Sequence, residues 1–142
     1  MGDEYGKVTV AVVQAAPLVL DREASVAKAQ DLVLAAADRG ARIIVLPEAF
    51  VPAYPASAVF GAVFGGFFDP AAGPAFRRLV ANAVEIPSAS TEALGLAARK
   101  ARAHVCIGVN ERTRTGTLHC TDRKSTRLNS SHIQKSRMPS SA

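Results

Sequence analysis

Apolar residues recur along this chain at two spacings. Residues 7–16, Lys7-Val8-Thr9-Val10-Ala11-Val12-Val13-Gln14-Ala15-Ala16, form a near-continuous apolar run of strand length closed by Pro17. A run without alternation fits a central strand covered on both faces. Asp21 is a good helix N-cap, and Val26, Ala29, Val33, Ala36 and Ala37 follow at helical spacing until Gly40, where a left-handed residue ends the helix. Arg42-Ile43-Ile44-Val45-Leu46 is a second strand buried on both faces, stopped by Pro47, which cannot donate to a ladder. Together these predict a β-α-β unit with parallel strands and a right-handed crossover.

Residues 50–69 differ in kind. Pro52, Pro55, Gly61, Gly65 and Gly66 interrupt a set of aromatics, Tyr54, Phe60, Phe64, Phe67 and Phe68, which predicts loops and short turns. The aromatics either line an apolar pocket or pack the loop onto the core. Beyond Pro70 and Pro74, Phe76, Leu79, Val80 and Ala83 give one apolar stripe, with Arg77 and Arg78 outward. After Glu85-Ile86-Pro87, Ser88 or Ser90 caps another helix, with Glu92 in its first turn and Leu94, Ala97, Ala98 and Ala101 on its buried face. A strand over 104–110 leads to Asn110-Glu111-Arg112, a turn at 113–116, and a further strand starting at Thr117-Leu118-His119-Cys120.

One side chain stands out by position. Glu48 lies just past the C-terminal end of an apolar strand, at the rim where open α/β sheets collect ligands. A solvated loop glutamate is the alternative.

With 142 residues, 49% of them apolar and 20% charged, the chain has the length and composition of one globular domain. No membrane-length apolar run and no basic leader are visible, so a cytoplasmic protein with no membrane partner is expected. The formal charge of +5 suggests a nucleic-acid partner. However, Arg123, Lys124, Arg127, Lys135 and Arg137 all fall in residues 122–142, leaving the rest close to neutral and no nucleic-acid partner expected. Cys106, inside an apolar run, reads as a small core residue, and two cysteines are too few for a disulfide framework. His104, His119 and His132 are isolated and lack metal-ligand spacing, so no metal and no organic cofactor are expected.

From Asp122 the chain turns polar and serine-rich without period, which predicts disorder. That stretch also resembles the translation of a sequencing-library adapter. The expected division is therefore a disordered N-terminus (1–6), a partial domain (7–121) and a disordered non-native tail (122–142). A basic nucleic-acid-binding tail on a non-catalytic α/β module is the alternative.

Strand, helix, and strand ending in Leu46-Pro47-Glu48-Ala49-Phe50, then Tyr54-Pro55, resemble the carbon–nitrogen hydrolase (nitrilase) superfamily. Val12-Val13-Gln14-Ala15-Ala16-Pro17, Phe76-Arg77-Arg78, Ala83-Val84-Glu85-Ile86-Pro87, Thr91-Glu92-Ala93-Leu94 and Ile107-Gly108-Val109-Asn110-Glu111-Arg112 continue the match in order. Glu-Ala-Phe followed by Tyr-Pro looks more like the nitrilase branch than the amidase branches. The resemblance implies an α/β fold, the N-terminal part of a four-layer α-β-β-α sandwich, and a Glu-Lys-Cys triad. In that chemistry a cysteine thiolate attacks the nitrile carbon to give a thioimidate. Ammonia leaves, and water hydrolyses the thioester to a carboxylic acid. Glu48 matches the general base, and Tyr54, close behind it, is either a substrate-pocket residue or a ring packed under the loop.

The resemblance also implies a small-molecule nitrile or amide substrate, and homo-oligomers among full-length members. The family's lysine and cysteine have no match here, because Lys100, Cys106 and Cys120 fall on no catalytic position and Lys124 and Lys135 lie in the tail. The chain is therefore expected to be an inactive fragment of a nitrilase, or alternatively of an amidase.

Overall fold

The computed structural model describes residues 6–56, 70, 72–125 and 133–137. The aromatics Phe60, Phe64, Phe67 and Phe68, together with His132, lie outside the described residues. The apolar runs become strands shorter than their apolar content: β1 is Val10–Val12 and β2 is Ile43–Val45. Between them runs α1, Arg22–Asp38. Asp21 caps it as read, its carboxylate accepting the Ala24 N–H at 2.9 Å. Gly40 follows the helix end at φ +88°, where a side chain would be strained.

Helix α2 spans Ala72–Asn82 and α3 spans Ala89–Ala101. At the start of α3 the Thr91 hydroxyl accepts the Ser88 N–H at 2.9 Å and donates to the Ser88 carbonyl at 2.8 Å. Strand β3, His104–Arg112, turns at 113–116 into β4, Leu118–Ser125, and β5 is Ile133–Arg137. The sheet order is β1-β2-β3-β4-β5, parallel from β1 to β3 and antiparallel thereafter.

Helices α1 and α3 pack together on one face of this sheet. Val26, Ala29 and Val33 of α1 meet Leu94, Ala97, Ala98 and Ala101 of α3 over Ile44, Val105, Ile107 and Val109. Alanines on facing helices permit a close approach, which compensates for their small apolar area. Leu79 of helix α2 and Ala83, just past its end, form a smaller cluster with Leu118.

The opposite face departs from the sequence reading. β1 and β2 were expected to be covered on both sides, yet Val10 is 53% exposed, Val12 79% and Ile43 38%. The register explains the pattern. Val10 pairs with Ile43, and Val12 with Val45, which in turn pairs with Cys106, so these side chains share the face away from the helices. Cys106 lies on that face and is half-buried rather than a core residue.

Where the sequence reading sets a disordered tail from Asp122, residues 122–125 continue β4 and residues 133–137 form β5. Pairing explains how so polar a segment can be strand. Thr121 to Ser125 lie opposite Val109 to Val105, and ladder hydrogen bonds depend on backbone rather than side-chain polarity. Among the described residues, no helix is long and apolar enough to cross a membrane.

Candidate active site

The turn that follows β2 carries Glu48. Backbone hydrogen bonds hold it against β3: Leu46 N–H donates to the Cys106 carbonyl at 2.8 Å, Gly108 N–H to the Pro47 carbonyl at 3.2 Å, and Asn110 N–H to the Val51 carbonyl at 2.8 Å. Between these attachments Glu48, Ala49 and Phe50 form a turn, with Ala49 at φ +48°.

The turn sits directly on Gly108. A Cβ there would lie 2.4 Å from the Ala49 nitrogen and 2.6 Å from Glu48 Cα. Beyond the turn the chain dives inward. Phe50 is 1% exposed and Val51 fully buried in the main core, and buried Asn110 donates its side-chain N–H to the Ala53 carbonyl at 2.8 Å. The acid is thus an exposed side chain on an immobilised backbone.

Two surroundings define what Glu48 can do. The first is a groove of about 750 Å³ lined by Val12, Val13, Gln14, Ala15, Ala16, Val45, Leu46 and Pro47, the residue before Glu48. It gathers the C-terminal ends of β1 and β2, the rim where ligands are expected. The second is Cys120, whose thiol donates to Glu48 Oε1 at 3.3 Å. Burial first, then the hydrogen bond and negative charge of Glu48, push that thiol up to about 11. It stays protonated at neutral pH and acts as a donor, since a nucleophile must be a thiolate. Cys106 is also raised, by burial and then by the Asp122 carboxylate.

Among the described residues, no lysine or arginine forms an ion pair with Glu48. Lys100 and His104 are exposed, and His119 is half-buried. Tyr54 is 54% exposed, six residues past Glu48. Glu111, by contrast, is buried at the helix-facing side and accepts the Thr121 hydroxyl at 2.9 Å.

The placement of Cys120 beside Glu48 escaped the sequence reading. A signal was present: the turn at 113–116 sets Asn110 opposite Cys120, which brings the cysteine to the level of the acid. Gly108 was a second signal, because a glycine inside an apolar strand marks a close backbone approach.

The model of the carbon–nitrogen hydrolase family matches residues 9–129. The chain belongs to this family. This chain is 43% identical over 115 residues to an aliphatic nitrilase of Sinorhizobium fredii, covering 81% of this chain and 37% of that protein. It is 37% identical over 124 residues to the bifunctional nitrilase/nitrile hydratase NIT4A of Nicotiana tabacum, covering 85% of this chain and 35% of the relative. The chain thus spans about a third of the length of the curated relatives it matches.

Among solved structures, it is similar to an amidase from Nesterenkonia sp., with a TM-score of 0.57 and 15% identity, covering 87% of this chain and 40% of that one. It is also similar to a CN-hydrolase superfamily protein from Xanthomonas campestris, with a TM-score of 0.59 and 14% identity, covering 91% and 40%. These likenesses concern the fold alone, and they agree with the α/β class read from the sequence.

Proposed function

We propose that this chain carries the general-base portion of a nitrile-hydrolysing active site, with Glu48 as the base and Tyr54 as a substrate-pocket residue. The observation that carries this reading is the setting of Glu48: an exposed carboxylate on a fixed turn, at the C-terminal rim of parallel strands and next to an apolar groove. A general base needs both features, an accessible oxygen and a backbone that does not move when the proton arrives. The proposed chemistry is attack of a cysteine thiolate on the nitrile carbon to give a thioimidate, addition of one water with loss of ammonia to leave a thioester, and hydrolysis of that thioester by a second water to the carboxylic acid. Glu48 takes the proton first from the thiol and then from water. The cysteine and lysine of that scheme have no counterpart in residues 1–142, so the chain by itself is proposed not to turn over.

Replacing the matched segment of the Sinorhizobium nitrilase with residues 9–121 tests the assignment. The chimera is expected to release ammonia from an aliphatic nitrile. Glu48→Gln in it should lower kcat by at least about 100-fold, the low end of general acid–base contributions. A Gln variant with unaltered turnover overturns the role of Glu48, and release from amides alone assigns the amidase alternative. The 142-residue chain is expected to release no more ammonia than its own Glu48→Gln variant.

A further inference from the structure

We propose that Cys120 is a positioning residue for Glu48, its thiol a hydrogen-bond donor that aims the carboxylate rather than a nucleophile that attacks substrate. The role rests on Glu48 serving as the base. An exposed glutamate on a turn has three rotatable bonds, and without a partner its carboxylate samples many orientations. Here Cys120 Sγ lies 3.3 Å from Oε1, while among the described residues Oε2 has no hydrogen-bond partner. One oxygen is tethered and the other is left to receive a proton.

The sheet fixes the donor in place. Cys120 stands opposite Asn110 in the β3–β4 ladder, and Asn110 is itself tied to the turn segment through the Ala53 carbonyl. Turn and thiol are therefore registered to the same strand.

The choice of a thiol has chemical sense. A lysine or arginine at this place would hold the carboxylate strongly and depress its basicity. A thiol is a weak, neutral donor, so it orients the base without pairing it with a cation. Reciprocally, burial and then the carboxylate keep the thiol protonated, which prevents Cys120 from competing for an electrophilic substrate.

Thiol chemistry on the 142-residue chain with Cys106→Ser tests the pairing without any turnover, so it stands or falls separately from the ammonia assay. Iodoacetamide modification of Cys120 is followed by peptide mass against pH, with the same chain in urea as the unconstrained reference. At pH 8, Cys120 in the folded chain is expected to react about ten-fold more slowly than in urea. The lower thiolate fraction of a thiol near 11 outweighs the higher nucleophilicity of its thiolate. Its rate should keep climbing through pH 9.5, where the urea sample levels off.

In Glu48→Gln the folded rate is expected to rise several-fold and to begin levelling at lower pH. A second measurement leaves Glu48 unaltered: the S–H stretching band of Cys120 should lie below that of the same thiol in urea. Equal rates with and without urea overturn the proposal, as does an unshifted S–H band. A folded Glu48→Gln chain that keeps the original pH profile also overturns it.

Discussion

Gly108→Ala is expected to lower the urea midpoint of this chain by the equivalent of about 3 kcal/mol, the upper part of the usual range for overpacking. The new methyl would meet the Ala49 nitrogen at 2.4 Å and the Glu48 Cα and carbonyl carbon at 2.6 and 2.8 Å. All three are main-chain atoms, so no side chain can rotate away. Either β3 or the turn must move, and each is pinned to the other by hydrogen bonds from Gly108 and Asn110. The same substitution should separate the Glu48 carboxylate from Cys120 and speed alkylation of the thiol. Gly95→Ala is the control: its methyl meets nothing nearer than an Arg99 nitrogen at 3.7 Å. Inside α3 it should raise stability by about 1 kcal/mol through helix propensity. A midpoint unchanged by Gly108→Ala would show that the turn does not rest on β3 as described.

Phe50→Ala is expected to cost about 3–5 kcal/mol, the range for removing a buried aromatic ring. Phe50 is 1% exposed and belongs to the cluster that includes Ile44, Val51, Val84 and Val109. Its ring is the nearest side-chain anchor after Glu48, and β2 itself is only three residues long. The void left behind lies under the turn, where rigid backbone on both sides limits collapse. Urea denaturation followed by far-UV circular dichroism measures the loss, and a cost below about 1 kcal/mol would place the ring outside the core.

Local chemistry was the readily legible part of this fold. Asp21 caps its helix, Gly40 ends it, Leu94, Ala97, Ala98 and Ala101 are the buried face of theirs, and 113–116 is a turn, each at its expected place. These signals act within four residues, so a linear reading captures them. Which face of the sheet the helices cover was not legible. Val8 to Val13 and Ile43 to Leu46 are apolar at nearly every position and lack the alternation that separates a covered face from an open one. At the site, the rim position of Glu48 could be read from a strand ending in proline. Its partner could not be read directly, because Cys120 is 72 positions away and reaches the acid only through the register of an antiparallel pair. Residues 122–125 are a related case: polarity and serine content describe side chains, whereas this segment is strand through main-chain pairing with β3.

The seating of Glu48 on a bare stretch of peptide has an evolutionary corollary. Coordinates dictated by amides and carbonyls are indifferent to most amino-acid replacements nearby, so Val12, Val45 and the other groove-lining residues are free to diverge and reshape what the groove admits. The position of the acid therefore tolerates replacement of the side chains around it, so the groove can be reshaped without shifting the carboxylate.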